Sequence, residues 1–256
     1  MTIVQNTDRH SVQGGQILVV AALALIWEGL PSLGVVDPML LPPLSAVVTQ
    51  AVKMLVEGAI LGDLLSTVLK IGIGFVIVVP LGIATGLYLG TRGGTDGIFS
   101  SVMTTSVGVP KSIFLPIFIF FFGTTLTQKI VFAIPYSYPI IVIVTMSGVK
   151  GIDDHLILSA KSMGADERDI LRHIYIPSAI PSIVAGLRLG LIFTVLGVII
   201  AEMYVAQAGI GQLLTTWGRG FQITDLFAGI LIVALGTIIV NESFRYFERR
   251  AQRWQA

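Results

Sequence analysis

Six long apolar runs, at residues 15–35, 64–90, 98–123, 130–149, 179–205 and 226–247, are separated by short polar breaks. Each approaches or exceeds the roughly 20 mostly apolar residues that a helix needs to cross the hydrocarbon core of a bilayer. The pattern predicts six membrane-spanning helices and an all-α fold. Prolines fall inside the second run (Pro80), the third (Pro110, Pro116) and the fourth (Pro135, Pro139). A proline kinks a helix and frees a carbonyl, which is tolerated where neighbouring helices or water satisfy it. Many of the 28 glycines lie in the same runs, where they suit close helix packing. The stretch 17–27 behind Arg9 has the length of a signal-peptide core, about 7–15 residues. No small-x-small cleavage site follows it, so it is read as a retained first span.

The polar breaks carry their own pattern. In residues 36–63, Pro42-Pro43 ends an extended piece. Ser45 is placed to cap a short helix bearing Val47, Val48, Ala51, Met54 and Leu55, which predicts an amphipathic helix along the membrane surface. Residues 206–225, AQAGIGQLLTTWGRGFQITD, form a loop rich in glycine and threonine. The break between the fourth and fifth runs, SAKSMGADERDILRHIYIP at residues 159–177, holds Lys161, Asp166, Glu167, Arg168, Asp169, Arg172 and His173.

That segment predicts two short helices meeting at Gly164, a natural residue for a helix C-terminus because it adopts positive φ freely. Asp166 starts the second helix, with Asp169 at capping-box spacing. Arg168 and Arg172 share one face, Asp169 and His173 another. Ile170, Leu171 and Ile174 make an apolar stripe for the membrane helices, and Pro177 stops the run before the fifth span. A charge run usually marks only a solvated loop. The alternative is a docking element: Ala160 and Gly164 are four apart, so they share a face and leave a shallow surface for another protein.

Composition sharpens this picture. Apolar types make up 54% of the 256 residues and charged types 12%, with a mean hydropathy of +0.87. Soluble domains carry about twice that charged share, so the composition points to a membrane. A net charge of +1 argues against a nucleic-acid partner. The absence of cysteine excludes disulfides and thiol chemistry. With the N-terminus inside, ten of the sixteen Lys and Arg fall on the cytoplasmic side and three (Lys53, Lys129, Arg219) outside; Lys70, Lys111 and Arg188 lie within spans. The positive-inside rule then puts both termini and the 159–177 loop in the cytoplasm.

The loop resembles that of permease subunits of ATP-binding-cassette importers, whose motif runs Glu-Ala-Ala, three residues, Gly, nine residues, Ile, one residue, Leu-Pro. Here stand Leu158-Ser159-Ala160, Gly164, Ile174 and Ile176-Pro177. The Gly, Ile and Pro spacings match; Leu158 replaces the family's Glu and Ser159 its first Ala. LPPLSAVVTQ, VPKSIFLPIFIFFFG, GLRLGL and AEMYVAQAGIGQLL are similar to the branch importing nitrate, bicarbonate, sulfonates, taurine and related small compounds. The resemblance implies a type I importer permease fold spanning 1–256 as one domain, with the coupling loop at about 150–177. It also implies a second permease copy, two cytoplasmic ATPase subunits that hold ATP and Mg, a periplasmic or lipid-anchored binding protein, and residence in the bacterial inner membrane. The implied ATPase-coupling residues are Leu158, Ser159, Ala160, Gly164, Ala165, Asp166, Ile174 and Pro177.

No Gly-x-x-x-x-Gly-Lys-[Ser/Thr] loop occurs, so ATP is not hydrolysed by this chain, and no catalytic or metal site is assigned. An intramembrane serine hydrolase needs a base beside its nucleophile; His10, His155 and His173 all fall outside the spans. A secondary transporter would show internal repeats with paired broken helices, and none is evident. Ionisable groups in a bilayer cost about 2.5–3.5 kcal/mol near a helix centre and mark candidate function. Lys70 lies near the outer end of its span and can snorkel. Arg188, nearer the inner end, reaches the interface or a partner. Glu28 and Glu202, at outer ends, are expected to be wet. Lys111 falls mid-span behind Pro110, so it must meet a partner charge or a water-filled cavity. The expected pathway residues are Lys111, Pro110, Ser112 and Glu202. The family usually carries an apolar or small residue at the position of Lys111.

Overall fold

A computed structural model describes residues 4–92 and 96–252. Every regular element among the described residues is helical: α1 Val4–Ser32, α2 Leu44–Val56, α3 Leu61–Thr91, α4 Asp96–Gly108, α5 Leu115–Phe122, α6 Leu126–Lys150, α7 Asp154–Ser162, α8 Glu167–Ile170, α9 Ile176–Val205, α10 Ile210–Arg219 and α11 Ile223–Gln252. Four continuous stretches are long and apolar enough to cross a membrane: Leu61–Thr91, Leu126–Lys150, Glu167–Val205 and Ile223–Tyr246. The apolar described part of α1 is shorter, Leu18–Ser32.

The third predicted span is corrected. It is not one helix but a pair, Gly97–Gly108 and Lys111–Phe122, bent by 85°. Pro110 cannot donate an N–H into a preceding turn, and the residue before a proline is pushed out of the helical region. The chain therefore leaves α4 at Gly108 and restarts as a single 3₁₀ turn, Lys111–Phe114, ahead of α5. Pro116 disturbs nothing, because it sits in the first turn of α5, where its missing N–H has no helical partner to lose.

The chain divides into two units, residues 1–61 with 214–233, and residues 62–213 with 234–256. In the first, Trp27 Nε1 donates to the Pro42 carbonyl at 3.1 Å and its ring meets Phe227 edge-on at 5.8 Å. Gln50 Nε2 donates to Asp225 at 2.6 Å. The amphipathic α2 is present, with Val47, Ala51 and Met54 buried, while Val48 and Leu55 face outward. Ser45 does not cap it. The N-cap is Pro43, and Glu28 caps the helix from outside by accepting the Ser45 N–H at 2.9 Å and its hydroxyl at 2.8 Å. A carboxylate there also answers the positive end of the helix dipole.

In the second unit α6 lies against both α3 and α9, and glycines set the approach. A Cβ on Gly82, Gly86 or Gly90 of α3 would run into Ile141, Thr145 and Val149 of α6. One on Gly190 or Gly197 of α9 would strike Ile141 and Ala133 of the same helix. Small residues four apart let helix backbones close in without a hydrophobic drive between them.

Candidate functional site

The charged loop folds as two short helices around Gly164. Asp153 opens α7 by accepting the His155 N–H at 2.8 Å. Gly164 takes φ +88°, and two backbone bonds close the helix end: Gly164 N–H to Lys161 O at 3.0 Å and Ala165 N–H to Ala160 O at 3.0 Å. This is a Schellman closure, which satisfies carbonyls that the helix end leaves free. Asp166 then caps α8, accepting the Asp169 N–H at 2.7 Å, and the Asp169 carboxylate accepts the Asp166 N–H at 3.4 Å. The reciprocal capping box is present.

Pro177 does not stop the run. Leu171–Tyr175 forms a π turn that carries the chain without a break into α9, so Glu167–Val205 is one helix of 39 residues. Pro177 has no N–H to offer and falls in the first turn of α9. Immediately before it, the Ile176 N–H reaches five residues back to Leu171 O. A π bulge re-routes hydrogen bonds in this way and lets the helix absorb a residue that would otherwise break it.

The small residues leave a recess. Ala160, Gly164, Ala165 and Ile174 line an open hollow of about 410 Å³ together with Met163, Asp169, Ile170 and His173. A Cβ on Gly164 would meet nothing within 4 Å, so the hollow is open directly above it. Met163 stands 88% exposed on its rim. Of the stripe expected to face the membrane helices, Ile170 is buried, Ile174 half-buried and Leu171 exposed. Leu158 and Ser159 are exposed and stand outside the hollow. The expected coupling residues are thus gathered around one concavity, except for Leu158, Ser159, Asp166, which shapes it as a cap, and Pro177.

A second polar cluster lies near the C-terminal end of α9, and residue-by-residue reading of the sequence missed it as a unit. Glu202 is fully buried, which corrects the expectation that it is wet. Its Oε1 accepts Lys70 Nζ at 2.6 Å, and Thr67 Oγ1 lies 3.0 and 2.9 Å from its two oxygens. Its Oε2 also accepts the Gly211 N–H at 3.0 Å. Lys70 does not snorkel; only 4% exposed, it uses a second donor on the Ala208 carbonyl at 2.8 Å. The Gly209 N–H donates to Asp63 at 2.6 Å and the Ile210 N–H to Thr67 at 2.9 Å. Gly209, at φ +128°, has no room for a Cβ, which would fall on the Glu202 carboxylate. Both oxygens of Glu202 are engaged within the chain.

Lys111 is anchored within the chain at the break between α4 and α5. Its Nζ donates to Ser106 O at 2.7 Å and Val107 O at 3.4 Å, the carbonyls left free where α4 ends, and lies 5.5 Å above the Tyr136 ring. A cation is favoured at the negative end of a helix, and an aromatic face adds to this. Lys111 and Ser112 are half-buried at the break that Pro110 makes. Arg188 is half-buried along α9.

Several apolar spans, one of them broken, and a capped two-helix loop carrying a small-residue hollow define a multi-pass helical membrane protein. Residues 78–253 match the family described as "Binding-protein-dependent transport system inner membrane component", and the chain belongs to that family. It is a permease component of an ATP-binding-cassette importer, in which the ATPase is a separate subunit and a binding protein brings the solute. The putative aliphatic sulfonates transport permease protein SsuC of Bacillus subtilis is 26% identical over 239 residues, 93% of this chain and 87% of that one. The taurine transport system permease protein TauC of Escherichia coli is 25% identical over 239 residues, 91% and 87% of the two chains. A bacterial ABC transporter involved in import of the acidic polysaccharide alginate shares the fold, with a TM-score of 0.64 at 15% identity over 98% of this chain and 99% of that one.

Proposed function

We propose that two copies of this chain form the membrane pathway of an importer for a small anionic solute of the sulfonate class, moving it by alternating access as two cytoplasmic ATPases close. The hollow around Gly164 carries this reading. It is exposed, built on capped helices, and continuous with a membrane span. One ATPase subunit docks there on each permease, with Ala160, Gly164, Ala165 and Ile174 as its floor. Relatives named for sulfonates and taurine support the substrate class. The excess of Lys and Arg on one side supports an orientation with both termini and the loop in the cytoplasm.

Lys111 is the pathway residue in this reading, with Pro110 and Ser112 setting its position at the break. An ammonium has three donors; two are used on α4, and the third remains for an anionic oxygen. Reconstitution with the ATPase subunits and the binding protein tests the whole proposal. ATP-dependent uptake of taurine or an alkylsulfonate is expected, and Lys111→Met, of similar length, is expected to cut it at least about tenfold, the effect of losing roughly 1.4 kcal/mol. Uptake independent of ATP would refute the importer reading, and unchanged uptake by Lys111→Met would remove that residue from the pathway. Single cysteines at Glu57 and Arg168 test orientation, with labelling from outside expected only at the first.

A further inference from the structure

A second concavity lies beside the loop, on the side away from the small-residue hollow. It encloses about 580 Å³ and shares only Ile170 with that hollow. Arg92, Lys161 and Arg168 converge on it, against a single carboxylate, Glu167. The Arg92 guanidinium lies 4.5 Å over the Tyr88 ring, which fixes the plane of its donors. Lys161 and Arg168 have no ion-pair partner among the described residues. Three cations gathered with that little compensation repel one another, and an anion would relieve the repulsion.

We propose that this pocket binds the headgroup of an anionic phospholipid. Phosphate is the anion that a planar guanidinium fork and a lysine ammonium together suit best. The position of the pocket selects a lipid over a soluble phosphate. Arg92 lies one residue past the end of α3, the place where a helix long and apolar enough to cross a bilayer would meet the headgroups. Along α3 an exposed apolar row, Ile73, Ile77 and Leu81, leads to Ala84 and Tyr88 at the pocket wall. Residues four apart on a helix form one continuous strip, and this one gives an acyl chain a track that ends at the three cations. Basic pockets between helices at the cytoplasmic side are a recurrent form of lipid-headgroup site. Only the choice of leaflet rests on the orientation proposed above. The bound headgroup would tie the α7–α8 loop to the lipid at the foot of α3.

The test uses the permease–ATPase complex, stripped of lipid in neutral detergent and titrated with dioctanoyl phosphatidylglycerol or dioctanoyl phosphatidylcholine, with bound lipid counted by native mass spectrometry. Saturable preference for phosphatidylglycerol is expected. Arg92→Gln with Arg168→Gln should weaken it at least about tenfold, since each lost charge-assisted bond is worth about that factor or more. Glu167→Gln, which removes the only carboxylate of the lining, should tighten it, and this variant decides the matter if the double variant assembles poorly. Equal binding of the two lipids, an unaffected double variant, or weakened or unchanged binding by Glu167→Gln would each overturn the proposal. Displacement of phosphatidylglycerol by inorganic phosphate would assign the pocket to a soluble phosphate and overturn the lipid reading.

Discussion

Near its C-terminal end, the long helix Glu167–Val205 holds Glu202 fully buried against Lys70, Thr67 and the Gly211 N–H. At its N-terminal end the same helix displays Glu167, Arg168, Asp169, Arg172 and His173, all exposed. The buried charges are paired with each other and with nearby backbone groups, so they hold structure. The exposed ones spend little on each other beyond the local caps, so they remain able to meet a partner. Charge in an apolar sequence therefore does not by itself mark function. Burial and the count of satisfied donors and acceptors separate the two cases.

The sharpest way to break this contrast is Glu202→Ala. It strands the Lys70 ammonium in a buried site, and removing one member of such a pair typically costs about 3–5 kcal/mol. A large drop in the melting temperature of the detergent-solubilised permease is expected. Lys70→Met combined with Glu202→Leu should recover most of it, because an apolar pair of similar volume leaves no uncompensated charge. A Glu202→Ala protein that melts like wild type would mean that the cluster is not structural.

Gly164→Val at the other end should separate stability from coupling. A branched residue at φ +88° costs about 1–2 kcal/mol, and its side chain projects into empty space rather than into neighbouring atoms. Membrane insertion should persist while stimulation of the ATPase by the permease is lost; normal stimulation would empty the hollow of its proposed role. Smaller still is Asp166→Ala. It removes the α8 cap at a cost of about 1 kcal/mol, read as a modest fall in melting temperature with coupling weakened rather than abolished. Loss as large as that of Glu202→Ala would show that the loop, too, is a structural keystone.

The spans and the loop could be read from the sequence because each is local. Twenty apolar residues mark a membrane run, though not whether one helix passes through it unbroken, as Pro110 shows; glycine followed by Asp-x-x-Asp is a helix end followed by a helix start. What could not be read that way was long-range. Taken one at a time, Lys70 and Glu202 each point to water, yet two opposite charges near the same end of different spans are better placed to pair than to escape separately. The glycines of AQAGIGQLL were the available signal, since a backbone that wraps a carboxylate needs residues without a Cβ. Ser45 failed as a cap for the same reason: the competing acceptor, Glu28, comes from 17 residues away. Pro177 failed because a π turn, which has no sequence signature of its own, took up the residue that a regular helix would have rejected.

That π turn has a mechanical consequence. A hinge between the loop and the span would let the loop move while the span stayed still; the π turn instead joins the two in one continuous helix. Thirty-nine residues in one helix make a rod of about 58 Å at 1.5 Å per residue. Pivoted near one end, such a rod converts a tilt of about 5° into a sweep of about 5 Å at the other. The far end of this rod is gripped at Glu202. A push on the loop therefore arrives as torque on a clamped joint about ten helical turns away, and whatever the clamp holds must turn with it.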